Sequence, residues 1–127
     1  MAFGMTITES ANTSAQDITS TRTYSDSSLF SVSESCANSQ TTEIVVAIDV
    51  SEITAICIMS DKNVTLKTNS ADTPDETISL LANRPYKWVS DSYFANLLET
   101  DITSIFITNA SGGAATVQLS AVIDSTP

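Results

Sequence analysis

The sequence predicts an all-β protein, a single antiparallel β-sandwich or jelly-roll-like domain of about eight short strands with an extended N-terminal arm. Three observations support this prediction. Apolar and polar residues alternate in several short segments, which is the period of a β-strand. Turn-forming residues separate these segments at intervals of roughly 8–12 residues, as in sandwiches and barrels. The chain has 127 residues, a length typical of one domain.

Residues 1–23 differ in composition from the rest of the chain and are interpreted as the N-terminal arm. They are rich in Ser and Thr, and their apolar residues are isolated, as at Ile7 and Ile18. Such a segment buries little apolar surface by itself and gains order against a partner. As an arm it would use Phe3 and Ile7 as anchors, whereas a disordered tail is the alternative. Residues 24–127 are assigned to the sandwich.

The strands of the sandwich follow from alternation and from β-branched residues. Residues 115–123 show the alternation best. Residues 44–50 also alternate, and because Val45 and Ala47 make the second face partly apolar as well, we expect this strand to be central in its sheet. The other predicted strands are residues 28–35, 53–59, 64–67, 77–81, a short strand that contains Tyr86 and Trp88, 102–108 and 115–123.

Polar and flexible residues predict the connections between these strands. Residues 69–76 contain Ser, Asp and Pro and are interpreted as a loop. Residues 92–98 are the one segment in which a helical turn is considered. The sequence Asn-Ala-Ser-Gly-Gly at residues 109–113 is a strong turn signal. The last two strands are therefore predicted to pair as an antiparallel hairpin.

The charge balance excludes two classes of partner. Fifteen acidic and five basic side chains give a net charge of −10. Binding to nucleic acid requires Lys and Arg to neutralise phosphates, and anionic membrane surfaces make a similar demand. No apolar run approaches the ~20 residues that span a bilayer, and the N-terminus lacks the basic and apolar segments of a signal peptide. We expect neither a nucleic-acid nor a membrane partner.

Catalytic and metal-binding patterns are weak in this sequence. The chain has no His, so mechanisms with a His base or a His metal ligand are excluded. Cys36 and Cys57 lack CxxC spacing and are expected to be reduced thiols, with one disulfide as the alternative in an oxidising compartment. Asp72, Asp75 and Glu76 could offer oxygen ligands to calcium, but no Gly sets the sharp turn of a calcium loop, and a solvated loop is preferred. No enzyme activity, cofactor or metal is expected.

Four aromatic residues lie within nine positions, at Tyr86, Trp88, Tyr93 and Phe94. A small sandwich needs aromatic side chains in its core, and this is one interpretation of the cluster. The other is a surface for a partner or a sugar, because exposed aromatic rings anchor interfaces. On the second interpretation Tyr86, Trp88 and Tyr93 are the candidate interface residues.

The C-terminal two-thirds of the chain resembles the small virion proteins with which tailed bacteriophages decorate, or cement, their capsids. The resemblance covers about half of the chain and consists of strand-and-turn segments rather than catalytic motifs. These segments are VTLKTNS at residues 64–70, DETISL at 75–80, NRPYKW at 83–88 and TSIFITNASGG at 103–113.

The resemblance implies a non-enzymatic β-sandwich that binds the major capsid protein on the outer capsid surface, commonly as a homotrimer, and bridges capsid subunits. Such a protein assembles in the cytoplasm of the host bacterium. A strong negative charge suits a position outside the shell, away from packaged DNA. A carbohydrate- or cell-surface-binding module is the alternative, as is another virion part such as a head-fibre base or a tail tube protein.

Overall fold

The structure is a computed structural model that describes residues 3–124, with Phe3 described by its backbone only. Its strands are β1 (Phe3–Asn12), β2 (Asp17–Asp26), β3 (Ser28–Cys36), β4 (Gln40–Ile48), β5 (Ile53–Ser60), β6 (Val64–Thr68), β7 (Thr77–Leu80), β8 (Tyr86–Val89), β9 (Ile102–Asn109) and β10 (Ala115–Ile123). Within the described residues the single helical element is a short 3-10 helix, Val50–Glu52. The all-β prediction is confirmed, and residues 92–98 form bends and irregular backbone instead of a helical turn.

Eight of the strands form a two-layered sandwich. The first sheet has the order β3-β10-β5-β8 and the second sheet the order β4-β9-β6-β7. Neighbouring strands in both sheets are antiparallel. The strands that neighbour one another in sequence mostly lie in different sheets, and this double Greek-key arrangement is that of a jelly roll. The predicted eight-stranded sandwich is therefore confirmed.

The core lies between the two sheets and follows the alternation of the strands. Inward-facing side chains of the central strands are almost completely buried, including Ile56 and Ile58 in the first sheet and Leu66, Ile105 and Ile107 in the second. Leu98, in the loop between β8 and β9, is also buried and belongs to this core. The core is aliphatic and leaves the aromatic residues at its margin.

The expected central position of β4 is wrong. This strand pairs with β9 alone and is an edge of the second sheet. Ile44, Val46 and Ile48 face the core, while Val45 on the other face is 77% exposed. Apolar residues on both faces suggested burial on both sides, but single exposed apolar side chains are ordinary on protein surfaces.

The predicted hairpin of the last two strands is also wrong. β9 belongs to the second sheet and β10 to the first, so the intervening turn carries the chain from one sheet to the other. The side chain of Asn109 holds this turn by donating hydrogen bonds to the carbonyl oxygens of Cys36 and Gly113, both at 2.9 Å. The turn residues predicted a chain reversal correctly, but turn chemistry does not specify which sheet the next strand joins.

The N-terminal segment forms a hairpin from β1 and β2, paired from Phe3 with Asp26 to Asn12 with Asp17. We call this element the N-terminal hairpin. Its turn is held by Thr13, whose amide donates to the carbonyl of Gln16 and whose hydroxyl accepts from the Gln16 amide. On one face, hydroxyl groups meet across the strands in three pairs, Thr6 with Thr23, Thr8 with Thr21 and Ser10 with Thr19, at 2.9–3.3 Å.

The other face of the N-terminal hairpin packs on the outer face of the first sheet. Ala55 of β5 and Val122 of β10 lie outside the core cluster between the sheets, yet both are completely buried. Their strands contact β1 and β2, which cover them. At the base of the hairpin, Thr54 donates a hydrogen bond of 2.5 Å to Asp26. Towards the turn the hairpin is exposed, and Ile18 is 60% accessible.

Candidate functional site

A groove separates the N-terminal hairpin from β8 and the loop that follows β8. Its volume is about 660 Å³. We call it the hairpin groove. One wall consists of hairpin side chains, and the other wall consists of aromatic and charged side chains of β8 and the loop after it. The residues that line the groove include Ile7, Glu9, Arg22, Tyr24, Tyr86, Lys87, Trp88, Asp91, Tyr93 and Phe94.

The hairpin groove brings together four of the five residues that the sequence singled out as interface candidates. Ile7 lies on the hairpin wall, and Tyr86, Trp88 and Tyr93 lie on the opposite wall. The side chain of Phe3, the fifth candidate, lies outside the described residues. Residues 79 or more positions apart in sequence thus share one surface feature, because β1 packs near the edge strand β8.

Tyr86 and Trp88 combine a structural role with a place in the groove. They pair with Ile58 and Ile56 of β5, so both rings pack against the margin of the core. Trp88 donates from Nε1 to the carbonyl of Phe94 at 2.8 Å. The hydroxyl of Tyr86 donates to Asn96 Oδ1 and accepts from the amide of Leu97. Burial raises the pKa of Tyr86, and the Leu97 amide opposes that shift.

Tyr93 and Phe94 present the most exposed aromatic surface in the described part of the chain. Tyr93 is fully exposed and Phe94 is 79% exposed. The hydrogen bonds from Trp88 and Tyr86 to residues 94, 96 and 97 hold the loop from which these rings project. Both interpretations of the aromatic cluster therefore apply, with Tyr86 and Trp88 at the core margin and Tyr93 and Phe94 on the surface.

Two ion pairs cross the groove and cancel its charge. Arg22 lies 3.3 Å from Asp91, and Lys87 lies 3.7 Å from Glu9. Each pair joins one hairpin residue to one residue of the sandwich. Exposed pairs of this kind contribute about 0–1 kcal/mol, so they set the register of the hairpin more than they add stability.

Tyr24 is the third polar link between the hairpin and the sandwich. Its hydroxyl donates to Asp91 at 3.1 Å, and the Arg22 guanidinium lies 6.0 Å from the centre of its ring. Desolvation raises the pKa of Tyr24, and the hydrogen bond to Asp91 adds to that effect.

The sequence analysis did not select Glu9, Arg22, Tyr24 or Asp91 as site residues. One signal was present, because Arg22 and Tyr24 are two positions apart in a Ser- and Thr-rich segment and so share one face of a strand. Their common partner, Asp91, is more than 60 positions away, and no local pattern connects it to them. Only the packing of the hairpin on the first sheet shows this connection.

The acidic loop uses its carboxylates for internal hydrogen bonds. Asp75 accepts from Asn69 at 2.7 Å and Glu76 accepts from Thr68 at 3.0 Å. Between residues 3 and 124, no group of three or more acidic or Cys side chains is arranged to hold a metal ion. Cys36 and Cys57 are free thiols, and burial raises the pKa of both.

Comparisons with known proteins assign no family to this chain. No protein-family model matches this chain, and no curated protein matches it. One solved chain that the structure comparison matches comes from work on Bacillus endospore appendages, described as a family of disulfide-linked pili. It shares 15% sequence identity, the match covers 76% of this chain and 88% of that chain, and the TM-score is 0.37. Over residues 3–124, no helix is long and apolar enough to cross a membrane.

Proposed function

We propose that this chain is a non-enzymatic virion protein that decorates the outer capsid surface of a tailed phage and stabilises the shell by bridging capsid subunits. The observation that carries the proposal is the N-terminal hairpin, which is fastened to the jelly roll at its base and exposed towards its turn. A two-stranded hairpin is marginally stable alone, so its exposed half gains most from packing on a second surface.

The exposed half of the hairpin supplies an apolar contact for that surface. Ala11 and Ile18 pair across the strands on the face that carries Ile7 and Tyr24, and the 60% exposure of Ile18 leaves this pair uncovered. The major capsid protein is the proposed partner, with a homotrimer as the proposed assembly. The net charge of −10 supports a position on the outside of the shell, because it opposes contact with packaged DNA.

The test compares phage heads that lack this protein, heads that carry it and heads assembled with variants. We expect heads with the chain to resist heat and internal DNA pressure better than heads without it. Substitution of the hairpin pair by polar residues, Ala11→Ser with Ile18→Thr, should reduce the number of copies bound per head. Val45→Thr is the matched control, since Val45 is also an exposed apolar residue and lies on the second sheet. Equal resistance of bare and decorated heads would refute the cementing role.

A saccharide-binding module is the second candidate function, and the exposed rings of Tyr93 and Phe94 beside Trp88 favour it. Aromatic faces bind the apolar faces of sugars, and the cancelled charge of the groove suits an uncharged glycan. Trp88 is the single tryptophan, so its fluorescence reports on occupancy of the groove. A change of fluorescence with an uncharged glycan, abolished by Tyr93→Ala with Phe94→Ala and retained in Leu97→Ala, would support this function. A glycan array without signal would exclude it.

A further inference from the structure

The N-terminal hairpin is joined to the sandwich by a very short connection. β2 ends at Asp26 and β3 begins at Ser28, so Ser27 alone separates the hairpin from the first sheet. A connection of one residue makes the turn by which the hairpin reaches its own sheet a tight one. Short connections of this kind favour exchange of the attached element between copies of a protein.

The contacts that hold the hairpin do not depend on its belonging to the same chain. They include the ion pairs of Arg22 with Asp91 and of Glu9 with Lys87, and the hydrogen bonds of Tyr24 with Asp91 and of Thr54 with Asp26. The hairpin also packs over Ala55 and Val122. All four side chains of the ion pairs are exposed, so a hairpin can leave and be replaced without opening the core between the sheets. The outer face of the first sheet fits this hairpin, because the hairpin of the same chain covers it in the structure.

We propose that copies of this chain exchange their N-terminal hairpins, so that the hairpin of one copy lies on the first sheet of its neighbour. The same side chains then make the same contacts between two chains. The hairpin groove becomes a shared site, with Ile7 and Arg22 from one copy facing Trp88 and Asp91 of the next. The inference goes beyond the proposed function, because it concerns how copies of this chain join and holds whatever surface they cover.

A second copy is favoured over an unrelated partner on this face by charge complementarity. Each hairpin carries one acidic and one basic residue that meet a basic and an acidic residue of the sandwich in matching order. The net charge of −10 opposes non-specific association between copies. Association of this chain with itself therefore requires a local match of charges, and the hairpin with its docking face provides one.

Charge reversal provides the test. The hairpin variant carries Glu9→Lys with Arg22→Asp, and the body variant carries Lys87→Glu with Asp91→Arg. Each variant alone places like charges opposite one another, whether the hairpin stays on its own chain or moves to an identical copy. In a mixture, the reversed hairpin matches the reversed body, and the unchanged hairpin matches the unchanged body. A chain with all four substitutions is the control, since its hairpin and body match as in the natural chain.

The readout is co-purification of untagged body variant with tagged hairpin variant, with light scattering to give the mass of the product. We expect the hairpin variant to retain at least about ten-fold more body variant than a tagged body variant retains, because attraction replaces repulsion across each exchanged hairpin. Equal retention, or a mixture that stays at the mass of a single chain, would overturn the proposal.

A second variant tests the connection itself without altering any charge. Insertion of Gly-Ser-Gly after Ser27 lengthens the connection and makes it easier for the hairpin to dock on its own sheet than on that of a neighbour. We expect tagged and untagged chains with this insertion to co-purify several-fold less than the unaltered pair. Unchanged co-purification would contradict exchange through the Asp26–Ser28 connection and overturn the proposal independently of the charge-reversal result.

Discussion

Asn109 is a buried polar residue whose side chain makes four hydrogen bonds. Its amide nitrogen donates to Cys36 and Gly113, and its amide oxygen accepts from the amide and the hydroxyl of Ser111 at 3.1 and 2.7 Å. One side chain therefore joins the end of β3, the end of β9 and the turn that crosses between the sheets. Buried polar groups stabilise a fold when all their hydrogen bonds are made, as they are here.

Substitution of Asn109 should be among the most destabilising polar changes in the chain. Asn109→Ala removes both donors and both acceptor bonds of this buried amide, including the bond to the carbonyl of Cys36, which should lower the free energy of unfolding by about 2–3 kcal/mol. Urea denaturation followed by circular dichroism measures the change. Asn12→Ala, at an exposed position of the hairpin, is the control and should change the free energy by less than about 0.5 kcal/mol. Equal effects would show that the buried amide does not hold the turn.

Tyr86 and Tyr93 allow the contribution of a hydrogen-bonded hydroxyl group to stability to be compared with that of an exposed one. The Tyr86 hydroxyl bonds both Asn96 and Leu97, whereas Tyr93 is fully exposed. We expect Tyr86→Phe to lower the free energy of unfolding by about 1–2 kcal/mol, because two partners lose their hydrogen bonds, and Tyr93→Phe to have no measurable effect. Thermal denaturation of both variants measures this, and a larger effect of Tyr93→Phe would contradict the assigned roles.

At the scale of elements, the N-terminal hairpin is held by side chains that can be removed one at a time. Trypsin cleaves after Arg22, which is paired with Asp91 when the hairpin is docked. Asp91→Asn should weaken both the ion pair and the acceptor for Tyr24, so cleavage at Arg22 should become several-fold faster. Mass spectrometry of timed digests identifies the site. Asp72→Asn is the control of equal charge change on an exposed loop, and the same rate in both variants would argue against Asp91 as a hairpin contact.

The sequence predicted best those strands in which one face is buried in the core, because burial of one face requires alternating apolar and polar residues. β10 alternates inward-facing Ala115, Val117 and Leu119 with polar residues, and its limits were predicted from that alternation. The pairing of strands was harder, because β9 and β10 are separated by a turn that suits a hairpin and also suits a crossing between sheets. Alternation specifies which face of a strand is buried, but long-range packing decides which strands become neighbours.

The pairing of β1 with β2 in the N-terminal hairpin was not predicted from the local sequence pattern. Its Ser and Thr residues suggested a polar arm, yet they occupy mirrored positions about the turn and bond in pairs across the strands. Such pairs stabilise a two-stranded ribbon without an apolar face. The candidate site was predictable only in its aromatic half and at Ile7, since the charged residues that complete it are brought together by docking of the hairpin.

At the scale of the whole molecule, four titratable groups share one direction of pKa shift. Desolvation raises the pKa of Cys36, Cys57, Tyr24 and Tyr86 above their ordinary values, which are 9.0 for the thiols and 10.0 for the phenols. A raised pKa means that the folded state favours the protonated form. The stability associated with these groups is therefore complete below the ordinary values and is lost as the pH rises through the raised ones.

The chain should therefore be sensitive to alkaline conditions. We expect the urea midpoint to stay level up to the ordinary thiol value of 9.0 and to fall above it, as Cys36 and Cys57 lose protons more readily in the unfolded chain. The overall negative charge also increases in this range, so the titration is repeated in about 1 M salt, where the screening length is about 3 Å. The decline of the urea midpoint that persists in salt is caused by the buried groups. Cys57→Ala should make this decline shallower, because it removes one thiol whose pKa is raised by burial. A midpoint that stays constant or rises above this pH would show that burial does not hold these groups in their protonated forms.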